Sequence, residues 1–423
     1  MSLTRIGVGG EQPYDVVVGH GAAGELPSLV GPDARTVVVI HPAGLGEIAE
    51  HALRALRQAG YLAHAEQIPD GEAAKDIAVA AGLWSRLAAR RVTRSDAIVG
   101  LGGGAATDLA GFTAATWLRG IRLVLMPTTL LAVVDAAVGG KTAVNIPEGK
   151  NLVGAFYPPA GVVADLDTLA SLPRAEYVSG LAEVIKAGFI ADPVILELIE
   201  ADPQRAGQPG GPHERELIER AVRVKARVVS ADLREAGPRE MLNYGHTLGH
   251  AIERAEGYQI RHGAAVAIGM VYAAAVARRA GRLDPETGQR HRAILAAAGL
   301  PTGYRAGAWP ELRAAMAVDK KSRASRLRLV VLDGLARPGI LDDPPEDLLE
   351  QAYADVSEPK GRAAVWTEEQ GSLRPSEPKG AVPTVKGDGE VGGEGACDRA
   401  TREGGASKRP EASEEGTVSG KEQ

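Results

Sequence analysis

Three of the nine histidines fall between positions 246 and 262, in the stretch LNYGHTLGHAIERAEGYQIRHGAAVAIGM that runs from Leu242 to Met270. His246 and His250 are four apart, so on a helix their imidazoles sit one above the other on one face. His262 follows a Gly257-Tyr258 break and opens a second apolar, alanine-rich helical pattern. Two imidazoles from successive helices begin a divalent-metal site, which needs a third ligand (Asp, Glu, His or Cys) from elsewhere in the chain. The zinc-peptidase pattern H-E-x-x-H is excluded, because Leu248 and Gly249 lie between the two histidines and no general base does.

A second group of residues points to anion binding. Gly102-Gly103-Gly104 follow a strand-like Ser95–Leu101 and precede the helical ATDLAGFTAATWLRG. Consecutive glycines there let backbone N–H groups approach a diphosphate at a helix N-terminus; a plain tight turn is the alternative reading. The order is not G-x-G-x-x-G, and no acidic residue closes the next strand, so the standard dinucleotide fingerprint is absent. Asp108 and Arg119, on or just after this helix, are polar residues in apolar surroundings, with a plain surface charge as the equal alternative for either. Gly140-Lys141-Thr142 resembles the end of a phosphate loop, but its first glycine would fall at Asp135 inside a helical segment, which excludes nucleotide hydrolysis. Lys141 and Lys150 remain, in Gly- and Asn-bearing loops beside Asp135 and Asn151, the make-up of a pocket for an anionic, hydroxyl-rich ligand. Glu183 and Lys186 have the spacing of an exposed helical ion pair; the apolar flanks give the alternative reading, in which Glu183 faces an interdomain space. Lys225 lies in a charged helix, and Arg239 precedes Asn243 just before the histidines. His213 and His291, in hydrophilic contexts, read as surface residues.

The elements that must carry these groups follow from periodicity. Strands at 14–18, 36–40, 64–68, 95–101 and 121–127 alternate with helices at 19–29, 45–59 and 74–89, a rhythm that predicts a mostly parallel sheet with helices on both faces. Beyond it come helices at 176–190, 193–200, 213–231, 245–256, 263–280, 286–298 and 308–318, then Asp319-Lys320-Lys321 and a strand-like RLRLVVL. The expected organisation is an α/β dinucleotide-binding domain over 1–165 and a mainly helical metal- and substrate-binding domain over 166–357. Residues 358–423 are rich in Gly, Glu, Pro, Ser and Lys without apolar periodicity, and are expected to form a disordered tail.

Bulk properties narrow the function further. A chain of 423 residues suits two domains, and a net charge of -6 argues against nucleic acid as partner. The single cysteine, Cys397, lies in the tail, away from any active part. No apolar run has membrane-spanning length and no secretory segment precedes the first strand, so a soluble cytoplasmic protein is expected.

Taken in order, GGGAATDLAGFTAATWLRGI, MPTTLLAVVDAAVGGKTAVNIPEGKNLVGAFYPP, RAEYVSGLAEVIKAG, MLNYGHTLGHAIE, HGAAVAIGM and DKK resemble the 3-dehydroquinate synthase family of the sugar phosphate cyclase superfamily, over about residues 12–350. The resemblance implies an NAD-dependent lyase of the shikimate pathway, hence of aromatic amino acid biosynthesis, acting as a homodimer. Its substrate would be a phosphorylated sugar acid, 3-deoxy-D-arabino-heptulosonate 7-phosphate, and its product 3-dehydroquinate. The implied course is transient oxidation at C5, phosphate elimination, re-reduction, ring opening and aldol closure. Zinc, or cobalt in its place, would be held by Glu183, His246 and His262, which leaves His250 for the substrate phosphate and revises the histidine pairing suggested by spacing.

The same resemblance places NAD along Gly103, Gly104, Asp108, Thr128 and Thr129, with Glu72 and Lys75 near the adenosine end. Asp135, Lys141, Asn151, Lys186, Lys225, Arg239, Asn243 and one of Lys320 and Lys321 would hold substrate. Lys150 would lie near both cofactor and substrate, and Arg119 would reach the phosphate across the dimer interface. Two positions depart from the family pattern: His41 stands where an acidic or polar residue is usual, and Ala264 replaces a frequent glutamate. A related cyclase of secondary metabolism and a metal-dependent polyol dehydrogenase are the competing readings; a binding protein on an inherited enzyme fold would have lost ligands that are all retained here.

Overall fold

The computed structural model describes residues 2–320 and 326–358, the side chains of 318–320 excepted, with two short strands at Ala364–Val365 and Arg374–Pro375. Asp319, Lys320 and Lys321, and the expected disordered tail beyond Glu358, therefore lie outside the described side chains.

The first half of the chain builds one twisted sheet. In chain order the elements are β1 (Thr4–Val8), β2 (Tyr14–Gly19), α1 (Leu26–Val30), β3 (Thr36–Pro42), α2 (Gly46–Gln58), β4 (Leu62–Ile68), α3 (Ile77–Ala89), β5 (Ala97–Gly102), α4 (Gly104–Thr116), β6 (Arg122–Pro127), β7 (Lys141–Ile146), β8 (Gly149–Phe156) and β9 (Gly161–Asp165). Seven of these strands form the sheet in the order β1-β2-β9-β6-β5-β3-β4. All neighbours run parallel except β1 against β2, in line with the βαβ rhythm of the sequence. β7 and β8 pair separately as an antiparallel hairpin.

Period-two alternation explains how both faces become buried. Val37 and Val39 of β3 pack with Leu26, Val30, Leu53 and Leu56 of α1 and α2 on one face. Val38 and Ile40 point the other way, to Leu83 and Leu87 of α3 and Leu109 and Phe112 of α4. Each fully buried aliphatic side chain contributes roughly 1.5–3 kcal/mol, so β-branched residues on both faces hold a central strand firmly. Because β4 and β5 flank β3 on opposite sides, a crevice opens at the carboxyl ends of β3 and β5, the usual ligand site of such sheets.

The second half is mainly helical: α5 (Arg174–Ile190), α6 (Val194–Ala201), α7 (Pro203–Ala206), α8 (Glu214–Ala231), α9 (His246–Ala255), α10 (His262–Arg279), α11 (Pro285–Ala297), α12 (Trp309–Lys320) and α13 (Glu346–Val356). Short strands β10 (Tyr304–Arg305), β11 (Arg328–Leu332), β12 (Pro338–Asp342) and β13 (Ser357–Glu358) pair as β10 with β13 and β11 with β12. α10 is buried along nearly its whole length and is packed by α5, α9, α11 and α13. Its side chains, like those of α4 and α5, belong to the cluster that covers the second face of the sheet. No helix among the described residues is long and apolar enough to cross a membrane.

Several elements differ from the sequence expectation. β1, β7 to β10, β12, β13, α7 and α13 had no counterpart in it. β1 and β9 are five residues each, too short for periodicity to separate them from loop, and each is defined by its pairing with β2. Lys141 and Lys150 are not in loops: they stand on the two strands of the β7–β8 hairpin.

Candidate active site

α5, α9 and α10 meet at three potential ligands. Glu183, His246 and His262 offer ligand atoms that all lie within 4.8 Å of one another. Glu183 Oε1 is 3.6 Å from His246 Nε2 and 3.5 Å from His262 Nε2. Glycines make the approach possible. A side chain on Gly263 would strike the Ser179 carbonyl of α5 at 1.9 Å, so only glycine lets α10 begin against the turn preceding Glu183. Gly245, in the left-handed conformation with φ 81°, starts α9, and Gly269 of α10 packs directly against its carbonyl.

The other ring nitrogens are held from behind. His246 Nδ1 lies 3.2 Å from the Tyr244 carbonyl, which can only accept, so Nδ1 carries the proton and Nε2 is left as a lone-pair donor. His262 Nδ1 faces Glu253 Oε1 at 3.2 Å, the carboxylate–histidine arrangement common behind metal ligands. Glu183 Oε1 is buried and has no hydrogen-bond partner among the described residues. An orphaned carboxylate oxygen facing two imidazole Nε2 atoms fits a tetrahedral cation with one position open.

Charge in this cluster is set by its neighbours. Burial opposes ionisation of Glu183, but Lys186, His246 and His262 outweigh it and hold the carboxyl well below its usual range. Lys186 Nζ pairs with Glu183 Oε2, and both side chains are buried, so this is not the exposed ion contact that i,i+3 spacing suggests. Burial and then Lys186 push His246 well below its usual value, leaving a neutral imidazole. For His262 burial works downward, yet Glu183 and Glu253 prevail and raise it to about 10.

A cavity of about 580 Å³ opens above the cluster. Its walls include Asp108, Asp135, Lys141, Asn151, Lys186, Lys225, Arg239, Asn243, His246, His250 and His262, which draws together most of the residues singled out in the sequence. Lys225 ion-pairs with Asp135, and Arg239 donates to the Gly139 carbonyl at 3.2 Å. Burial would raise Asp135, but Lys225 overcomes it and brings the carboxyl down to about 2. His250, one helical turn beyond His246, stands edge-on to it with ring centroids 5.2 Å apart.

The remaining predicted residues surround this cavity without all lining it. Lys150 Nζ lies 4.0 Å above the Tyr258 ring and 3.7 Å from Glu72. Lys75 is buried and bridges Asp108, at 2.6 Å, and Asn151; burial raises the Asp108 carboxyl although Lys75 works against that. Glu72 accepts from Asn145 of the hairpin at 2.7 Å. At the carboxyl ends of the central strands β5 and β6, Gly103 caps α4, and Thr128 donates its backbone N–H to the Gly102 carbonyl, so Gly103, Gly104, Thr128 and Thr129 form one rim of the crevice. Arg119 sits in an exposed turn with φ 67° and does not line the cavity of its own chain.

Some functional groups escaped the sequence reading. Glu253 lies seven residues after His246, on the same helical face, a spacing that could have found it. Glu235 gave no such signal: it enters the cavity from a loop at φ 59°, where it pairs with Lys141 and accepts from Asn243 at 2.6 Å. His291, expected at the surface, is fully buried, because α11 turns that one polar residue inward against Phe189 and Tyr244. His213 is half-buried and precedes α8.

Known proteins resemble this chain in sequence and in fold. The family models 3-dehydroquinate synthase N-terminal and 3-dehydroquinate synthase C-terminal match residues 65–179 and 180–322. The 3-dehydroquinate synthase of Thermobifida fusca (strain YX) is 65% identical over 358 residues, covering 84% of this chain and 97% of that protein. A crystal structure of 2-deoxy-scyllo-inosose synthase with carbaglucose-6-phosphate, NAD+ and Co2+ superposes with TM-score 0.75 at 27% identity, over 84% of this chain and 100% of that one. The 2-epi-5-epi-valiolone synthase from Streptomyces hygroscopicus subsp. jinggangensis 5008, with NAD+ and Zn2+, gives TM-score 0.73 at 27% identity, over 81% and 96%.

Proposed function

The chain belongs to the 3-dehydroquinate synthase family, and on that footing we propose how it converts 3-deoxy-D-arabino-heptulosonate 7-phosphate into 3-dehydroquinate and phosphate. The observation that carries the reading is the cavity itself, where lysines 141, 186 and 225 and Arg239 converge with Asn151 and Asn243 above the Glu183–His246–His262 cluster. A substrate with a carboxylate, a phosphate and several hydroxyls needs this combination of cationic and amide groups. A polyol would leave the cations without a purpose.

In this reading NAD lies along Gly103, Gly104, Thr128 and Thr129, with Asp108, Lys75 and Glu72 beside it, within an N-terminal domain over 1–165. Glu183, His246 and His262 of the helical domain over 166–357 hold zinc or cobalt. When bound, NAD supplies a reversible hydride acceptor, and the cation lowers the pKa of a hydroxyl it contacts. The chain's own groups do the rest. Lys225, held by Asp135, joins Lys186, Arg239 and Asn243 in fixing the carboxylate and ring hydroxyls. Lys141, Lys150, Asn151 and His250 orient the phosphate so that one of its oxygens can take the C6 proton as it leaves, and the His250 imidazole can hold a proton beside it. In a homodimer, Arg119 of each chain would serve the neighbouring copy's cavity.

The test is product analysis with purified protein, NAD and zinc. Phosphate and 3-dehydroquinate should appear in equal amounts without accumulation of NADH. Stoichiometric NADH would favour a dehydrogenase, and faster phosphate release from sedoheptulose 7-phosphate or an amino-substituted analogue would favour another cyclase.

A further inference from the structure

Behind the metal cluster lies a polar pair that the reaction does not use. His291 of α11 is fully buried, and both of its ring nitrogens are satisfied. Nδ1 lies 2.7 Å from the Thr287 carbonyl, and Nε2 lies 2.8 Å from the Tyr244 hydroxyl. A carbonyl can only accept, so Nδ1 carries the proton and Nε2 accepts from Tyr244 Oη. On its face the imidazole stacks on Phe189, with centroids 3.5 Å apart and planes 11° from parallel.

These partners lead to two of the three metal ligands. Phe189 is six residues after Glu183 on α5, on the side of that helix turned away from the ligand. Tyr244 also is wholly buried, and its carbonyl holds His246 Nδ1. We propose that His291 is a positioning residue for the metal centre: through the Tyr244 hydroxyl it fixes the carbonyl that orients His246, and through Phe189 it braces the helix that bears Glu183.

An aliphatic residue would fill the same space without desolvating an imidazole and a phenol. A satisfied buried hydrogen bond, by contrast, selects one orientation of Tyr244, whereas apolar packing tolerates several. Just after Tyr244 the backbone turns through left-handed Gly245, so an error in the Tyr244 peptide would pass directly to His246. Outer-shell partners of metal histidines tune affinity by orienting the ring.

This inference rests on the metal reading above, and the experiment separates the two. Zinc affinity is measured by competition with a chromophoric chelator, and the visible spectrum is recorded on cobalt-loaded protein, for the parent and for Tyr244→Phe, His291→Leu and His291→Gln. Tyr244→Phe and His291→Leu should weaken zinc binding by roughly 10-fold and shift the cobalt bands. His291→Gln, which still offers an acceptor to the Tyr244 hydroxyl, should recover most of both. Lower melting temperatures with parental cobalt spectra and zinc affinities would overturn the proposal and reduce the pair to core packing. If His291→Leu does not fold, Tyr244→Phe, which removes one oxygen, decides alone. A parent protein that binds neither metal would overturn the metal reading, and this inference with it.

Discussion

His262 and Glu253 are joined through Nδ1 and Oε1 at 3.2 Å, and that contact turns the opposite nitrogen, Nε2, towards Glu183. Glu253→Gln keeps the size of the side chain but removes its charge. Zinc affinity is expected to fall by about 10- to 100-fold, the range typical of a lost outer-shell carboxylate. Chelator competition on folded variant protein checks this, and affinity equal to the parent would refute it.

The Glu183–Lys186 pair makes a different prediction. Both side chains are buried, so removing one partner strands the other charge in the interior. Glu183→Gln should therefore lose metal and also destabilise the apo fold by roughly 3–5 kcal/mol. Adding Lys186→Met should restore much of that stability without restoring zinc binding or turnover. Urea unfolding of the two variants in the presence of a chelator distinguishes the effects; equal stability of the two would contradict it.

His291 also makes stability depend on pH. Burial is the main cause that pushes its imidazole down to about 4, against about 6.5 in an unfolded chain. Between these values the unfolded state binds the extra proton. The contribution is therefore fully present above pH 6.5 and is lost as pH falls towards 4, by about 3 kcal/mol at most. Unfolding free energies at pH 7.5 and pH 5, with chelator present, should differ by about 2 kcal/mol more in the parent than in His291→Leu. Parallel pH profiles would rule out this origin.

Residues 359–423 are expected to be dispensable for turnover. The boundary belongs after Glu358, because Ala306 donates to the Glu358 carbonyl at 2.9 Å and β13 pairs with β10. A chain ending at Glu358 should match the parent in kcat and KM measured by phosphate release. A shorter one lacking Ser357 and Glu358 should lose thermal stability first. A large loss of activity in the chain ending at Glu358 would show that the tail takes part.

Much of this protein was legible in its residue order. The strand-like segments from 14–18 to 121–127, alternating with helical ones, indicate a parallel sheet, because parallel strands need crossovers and those are usually helices. The quoted motifs pointed to the family, and the family identity of the chain agrees. Spacing alone, however, paired His246 with His250. Period 3.6 reports which side chains share a helical face and says nothing of which other helix that face meets.

Only the tertiary structure decided the rest. It brought Glu183 of α5 to His246 and His262, because Gly263 and Gly269 let three helices approach more closely than side chains would allow. It turned His291 inward on the face shared with Ile294 and Leu295, although the charged neighbours on either side, Arg290 and Arg292, give that position a hydrophilic context. It also placed Glu235 in the cavity from a loop, where no repeat constrains direction. Sequence by itself determined the inventory of reactive groups and the longer elements, whose periodicity depends on near neighbours along the chain, and not the β7–β8 hairpin that carries Lys141 and Lys150. Which groups share a site depends on contacts between residues as far apart as Asp135 and Lys225, and those exist only once the core has packed.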